Sequence, residues 1–254
     1  MKKTALFAAV AALMTATPAA AGGYVGLSYG STDADGASSD IDTWQVEGAV
    51  GHNSGGWGFQ VDGSIGNSES DTGDADHTQF AGHLYWGGEG WRFGGVIVAA
   101  NVDDTGLEVE EFAYGIEATR DFGPNTVFVA SATFGEVDYI TDIDTWNIDA
   151  GLNFYTAPNF KFGVNFGFGN LDGGGADADT MTGGLNAEWA PFAAPVSFTL
   201  GWNHFDDDDA IIGSSDTISM GARWNFGGGS LRDRDNATPF DTRTGFYPRV
   251  LDLR

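Results

Sequence analysis

The chain has 254 residues, 36 acidic against 11 basic side chains, a net charge of −25 and no cysteine. So acidic a chain is no partner for nucleic acid, and without cysteine neither a disulfide framework nor thiol chemistry is open to it. Glycine fills 39 positions and aromatics make up 13%, yet no long apolar run follows residue 21, so apolar side chains must be buried in alternation, in one large all-β domain.

Lys2 and Lys3 precede an apolar run from Ala5 to Met14 and the small-residue stretch Ala19-Ala20-Ala21. This is the layout of a secretory signal peptide over residues 1–21, with cleavage after Ala21. A membrane helix needs about 20 apolar residues, and this run is shorter and is followed by Pro18. Export is the expectation.

Alternation is cleanest in the second half. From Trp146 to Phe154 one face carries Trp146, Ile148, Ala150, Leu152 and Phe154, and the other Asn147, Asp149, Gly151 and Asn153. From Phe160 to Gly169 the pattern returns, with Phe160, Phe162, Val164, Phe166 and Phe168 against Lys161, Gly163, Asn165, Gly167 and Gly169. Strict period two means strands with one apolar and one polar face, and Pro158-Asn159 between them marks a tight turn. The same unit gives strands near 23–30, 57–66, 91–100, 126–135, 160–169 and 196–205 in one direction. Their returns lie near 41–51, 78–86, 110–119, 144–154, 180–189 and 216–226, twelve in all. The segment 126–135 carries apolar groups on both faces.

An internal repeat supports this register. The string DIDTW stands at 40–44 and 142–146, with DADTM at 177–181 and SSDTI at 214–218 as weaker relatives. The first outward residues of the returning strands, Trp44, Phe80, Phe112, Trp146, Met181 and Ile218, are spaced by 36, 32, 34, 35 and 37 residues, which points to a reused hairpin. Trp57, Trp86, Trp91, Trp189, Trp224 and Phe226 fall at one end of the strands, and Trp44, Phe80, Phe112 and Trp146 at the other. Two aromatic bands one strand length apart are the interfacial girdles of a membrane barrel. A soluble sandwich shares the alternation but has no reason to carry the girdles. The expected fold is therefore all-β, an antiparallel up-and-down transmembrane barrel of about twelve strands, with short periplasmic turns and longer acidic outer loops.

The strand from Thr217 to Phe226 alternates apolar residues and ends on an aromatic. It resembles the closing strand of Gram-negative outer-membrane proteins. That resemblance implies an outer-membrane location, contact with lipid and lipopolysaccharide, and recognition by the barrel-assembly machinery through Ile218, Met220, Trp224 and Phe226. It is architectural, covers about residues 22–226, and carries no motif of a named transport family. The chain departs from the pattern because 28 residues follow Phe226.

Charge is the most informative functional feature. Residues 22–226 hold four basic and 32 acidic side chains, and the expected outer loops (31–40, 67–77, 101–110, 136–144, 170–179 and 206–216) hold 23 acids and no Lys or Arg. Asp71, Asp74, Asp76 and the run Asp206, Asp207, Asp208 and Asp209 are expected to form an acidic rim. These oxygens suit weak Ca²⁺ or Mg²⁺ binding, but the fixed Gly and Glu of an ordered calcium loop are missing, so no firm metal site is read. The expected lumen face carries Glu47, Asp62, Glu111, Glu117, Asp149 and Glu188 against Arg92, Lys161 and Arg223. Small inward residues such as Gly163, Gly184 and Gly201 leave space for water, or for an inward-folded loop or tail.

These features read as a porin-like channel for small hydrophilic solutes that prefers cations, with oligomerisation left open. The alternatives are a barrel enzyme of phospholipase or protease type, or a structural or adhesin barrel. For an enzyme, His52 is read in a turn, His77 in a loop and His83 in the lumen. His204, with Ser197, Ser219 or Asp206 nearby in sequence, is the one candidate for a triad. Short acidic loops argue against adhesion. The tail, 227–254, is expected to be periplasmic and flexible, with a plug or a cell-wall contact as the sharper alternative.

Overall fold

A computed structural model of the chain describes residues 22–35, 40–54, 56–71, 73–88, 90–104, 107–138, 141–173, 176–191, 195–208, 213–227 and 229–240. The leader read over 1–21 lies outside them. Twelve strands follow in order: β1 (Gly22–Ala34), β2 (Ile41–Ser54), β3 (Trp57–Ser70), β4 (Gly73–Gly88), β5 (Trp91–Asp104), β6 (Leu107–Asp121), β7 (Thr126–Asp138), β8 (Asp142–Ala157), β9 (Phe160–Gly173), β10 (Ala176–Trp189), β11 (Val196–Asp207) and β12 (Ser215–Phe226). Each pairs with its neighbours, and β12 closes on β1. The seam runs antiparallel from Gly23 opposite Phe226 to Ala34 opposite Ser215. A short helix, α1 (Leu231–Asp235), follows.

The face assignment read from period two holds along the chain. Leu27, Val46, Phe59, Leu84, Ile97, Phe112, Tyr114, Ile148, Phe168, Leu185, Leu200 and Met220 point away from the barrel and are exposed. In water such a surface would be untenable; around a closed barrel it is a lipid-facing belt. Aromatics edge it, with Trp57 packed on Trp86 at 5.9 Å and Trp86 on Phe93 at 5.0 Å near one end, and Tyr29 on Trp44 at 4.7 Å near the other.

The strands outrun the expectation. They are 12–16 residues long, whereas about 9–11 cross a bilayer at a tilt. Most of the acidic connections read as loops are strand: β3 and β4 are joined by 71–72 alone, β5 and β6 by 105–106, and β9 and β10 by 174–175. At these three connections the expected longer loop is strand, whereas 35–40 and 208–214 keep their length. Acidic side chains do not interrupt a ladder when they sit on its water-facing side, and here they alternate with wall residues: Glu69 opposes Asp74 and Asn67 opposes Asp76. His77 accordingly lies on β4 and His52 on β2, not in a loop and a turn.

The repeat has a structural meaning. In its four copies Thr43, Thr145, Thr180 and Thr217 are buried in the wall, and the carboxylates of Asp42 and Asp216 lie outside, just beyond the lipid belt. Tyr29 Oη donates to Asp42 at 2.7 Å and Trp202 Nε1 to Asp216 at 3.0 Å. The unit therefore marks the boundary between water and lipid on the four returning strands that carry it.

Deletion of 216–226 leaves β1 and β11 with unpaired edges in lipid. The truncated chain is expected to lose the heat-modifiable gel band of a folded barrel. Leu200→Arg, on the lipid face of β11, is expected to cost about 2–4 kcal/mol if it lies at the bilayer midplane, read by urea unfolding in lipid vesicles.

Candidate functional site

All nine charged residues read as lumen-facing do face the lumen. Glu47, Asp62, Glu111, Glu117 and Glu188 are buried, and Arg92, Asp149, Lys161 and Arg223 are half-buried. Most meet in two groups. In the first, Arg223 Nε donates to Glu47 Oε1 at 2.9 Å and Nη1 to Glu188 Oε2 at 3.3 Å, with its guanidinium 4.4 Å from the centre of the Tyr24 ring. Lys161 Nζ reaches the same Glu188 oxygen at 3.0 Å, and Ser197 Oγ donates to the other. In the second, His83 lies between two carboxylates, with Nε2 3.0 Å from Asp62 and Nδ1 2.8 Å from Glu117. Buried charges persist only when paired and hydrogen-bonded, and opposite signs are distributed here so that they are.

Beside these groups lies a cavity of about 170 Å³, lined by β7 to β12 together with Arg92, Glu117 and Tyr24, and closed on one side by the tail residues Asp235 to Phe240. Its wall is a checkerboard. Asn153, Gly163 and Asn186 form one row, and Gly151, Asn165, Gly184 and Asn203 the next. A Cβ on Gly163 would lie 2.6 Å from the Asn186 amide, and one on Gly184 2.7 Å from Asn165. Each glycine thus makes room for a neighbouring amide to lie against the sheet. The result is an amide patch that donates and accepts hydrogen bonds, bordered by the charged side chains of Asp149, Lys161, Glu188 and Arg223.

The tail differs from the flexible extension that the sequence suggests: residues 229–240 fold into the barrel, and 241–254 lie outside the described residues. Ser230 caps α1 reciprocally with Asp233, and its hydroxyl and N–H hold the Asp233 carboxyl below its ordinary range. Leu231, 1% exposed, packs on Val127, Tyr155 and Ala190. That contact accounts for the apolar inner face of β7. Arg232 meets Asp121 at 3.0 Å; Asp235 accepts from Tyr155 Oη at 2.7 Å and Lys161 Nζ at 2.9 Å; and Arg92 Nη2 donates to Asn236 Oδ1 at 3.0 Å. Phe240 ends the path against Gln60, His83 and Tyr85. These partners lie toward the mouth where both barrel termini emerge, so the segment crosses that mouth.

Sequence reasoning missed three things. The Ser-x-x-Asp spacing at 230–233 signals a helix start. Phe240 is an isolated aromatic in a polar stretch. Toward the opposite mouth, Val109, Val137, Leu171 and Phe205 are buried together, with Val102 and Ile143 against them. Carrying period two into the segments read as loops exposes this inward apolar cluster.

The acidic rim is also corrected. Asp74 and Asp76 are exposed on the outward face of β4, and Asp206 is on the outward face of β11. Asp71 is exposed, Asp207 points inward and accepts from Gly213 N at 3.0 Å, Asp208 accepts from Asp179 N at 2.9 Å, and Asp209 lies outside the described residues. Asp74, Asp76 and Asp206 therefore band the outside of the barrel, while Asp207 turns into the lumen. Among the described residues no group of three or more His, Asp or Glu side chains is arranged to hold a metal ion. His204 pairs with Asp216 at 3.2 Å on the outer face, whereas Ser197 and Ser219 are buried on the inner face. That triad is not assembled. Of the closing-strand residues, Ile218, Met220 and Trp224 point to lipid, and Phe226 pairs with Gly23 at the seam.

The fold is that of the outer-membrane β-barrels. An outer-membrane channel from Pseudomonas putida F1 superposes with a TM-score of 0.62 at 11% identity, over 82% of this chain and 95% of that one. The translocator domain of the autotransporter NalP from Neisseria meningitidis gives 0.55 at 10% identity, over 89% and 95%. The β-domain of the Bordetella autotransporter BrkA gives 0.55 at 12%, over 82% and 100%. No protein-family model matches the sequence, and no curated protein matches it. The likeness is one of fold.

Glu188 is shared by two cations, so Glu188→Gln leaves Lys161 with Asp235 and Arg223 with Glu47 as the remaining ion pairs. A loss of about 1–3 kcal/mol is expected, measured as a lower urea midpoint with unchanged far-UV circular dichroism.

Proposed function

We propose that the chain is an outer-membrane channel for the passive diffusion of small hydrophilic solutes, with a moderate preference for cations. The observation that carries this is the amide-lined cavity inside a closed barrel whose outside is apolar. A wall of alternating Asn and Gly offers hydrogen bonds to any hydrated solute without binding one charge tightly, as conduction requires. The lumenal charges are largely spent on one another, so the preference arises at the acidic end, where the exterior carboxylates lower the potential and concentrate cations.

We read the barrel as a conduit and not an enzyme, because His204 and the lumenal serines lie on opposite faces of the wall and His83 is covered by Phe240. The exterior carboxylates sit where lipopolysaccharide headgroups begin, and divalent cations bridging the two would anchor the barrel there. Export by the leader and assembly through the closing strand complete this reading.

Reversal potentials in planar bilayers under a KCl gradient test it, on the full chain and on a chain ending at residue 227. Cation selectivity is expected, reduced but not inverted by Asn at Asp206, Asp207 and Asp208, because at about 0.15 M salt the Debye length is about 8 Å. Chloride selectivity in both chains sinks the assignment.

A further inference from the structure

The contacts of Phe240 have the form of a receptor for a peptide residue. Gln60 Nε2 donates to the Phe240 carbonyl oxygen at 2.8 Å, and Phe240 N donates to Gln60 Oε1 at 3.1 Å. One side-chain amide thus satisfies both main-chain groups of one residue, as a neighbouring strand would. The ring is held on two sides: His83 stacks parallel at 5.7 Å with 5° between planes, and Tyr85 meets it edge-on at 5.2 Å. His83 is fixed in that plane by Asp62 and Glu117, and Phe240 is 6% exposed. Among the described residues, the contacts at this position read the main-chain amide and the aromatic ring, so the socket suits an extended peptide bearing an aromatic side chain.

From this we infer that residues 229–240 are a tethered plug, and that Gln60, His83 and Tyr85 form an aromatic-peptide socket which the chain occupies with its own Phe240, closing the channel until that residue leaves. The inference rests on the channel reading above. The plug is built to detach. Its helix is five residues long, and its anchors are a few polar contacts plus Leu231. Each wall strand, by contrast, is held along its whole length by two ladders. Breaking the socket costs two net hydrogen bonds and one aromatic clamp, and unseating Leu231 costs one apolar side chain. Between the anchors the tail grazes the wall at Gly51, where an added Cβ would lie 1.8 Å from the Ala237 carbonyl oxygen. Gly51→Val therefore pushes against the tail directly beside the socket, since Gly51 stands opposite Gln60 in the β2–β3 register.

Single-channel recordings on the full chain, Phe240→Ala, Gln60→Ala, Gly51→Val and a chain ending at residue 227 test the plug, with heat-modifiable mobility confirming that each is folded. The full chain is expected to be mostly closed. The three substitutions are expected to raise open probability by about ten- to a hundredfold, and the shortened chain to be open. A C-terminally amidated peptide of residues 229–240, added to the shortened chain, is expected to close it again. The same peptide with Phe240→Ala, or a shortened channel carrying Gln60→Ala, is expected to show no block. Equal conductance of the full and shortened chains overturns the plug and leaves the channel reading standing. A block that is indifferent to Phe240 and to Gln60 overturns the socket. If neither chain conducts although both are folded, the channel reading fails, and binding of the labelled peptide to the shortened chain then decides the socket alone: no binding, or binding unaffected by Phe240→Ala, overturns it.

Discussion

In hydrocarbon every backbone N–H and C=O must find its partner within the protein, because no water is there to accept or donate. For a chain of short alternating strands the solution is a sheet closed on itself, and the seam between β1 and β12 makes that closure. The rest follows from it. Once the ring is shut, each strand has one face toward lipid and one toward the lumen. Period two then assigns every side chain to one environment or the other.

The inside of such a ring is not a hydrophobic core, and its stability has to be assembled from other parts. Glu188, held by Lys161, Arg223 and Ser197, shows one way: charges taken into the wall are matched by opposite charges from nearby strands, Lys161 standing directly opposite on β9. The Asn–Gly checkerboard shows another, in which amides lie flat where their neighbours have no side chain. The tail is the third. It carries Leu231 to an apolar patch on β7 and Phe240 to the His83 socket, covering surface that would otherwise face lumenal water.

The outside obeys a matching logic. Beyond the lipid belt the strands continue as a paired palisade bearing carboxylates, and Asp42 and Asp216 take hydrogen bonds from Tyr29 and Trp202. Interfacial aromatics prefer a site with an apolar body and a wet tip, and these acids supply the polar partner. The exterior of one end therefore carries a dense negative field, while many of the lumenal charges are paired with one another.

The sequence by itself determined the strand number, the antiparallel order, the lipid face and the identity of the lumenal charges. Each of these depends on period two and on turn residues, which are local. It did not determine where the strands stop, because an acidic residue on a water-facing side pairs its backbone as well as any other: Glu69 and Asp74 look like loop and are ladder. Nor did it show that the carboxylates look outward, since that requires carrying the register past the lipid boundary. The plug was least legible, because its partners are far away in the chain. Gln60 and Phe240 stand 180 residues apart, and Leu231 meets Val127 and Tyr155 only because closing the ring brings β7 and β8 under the exit of β12. Local pattern fixed which face each residue presents; only the closed ring decided which distant residues would share its interior.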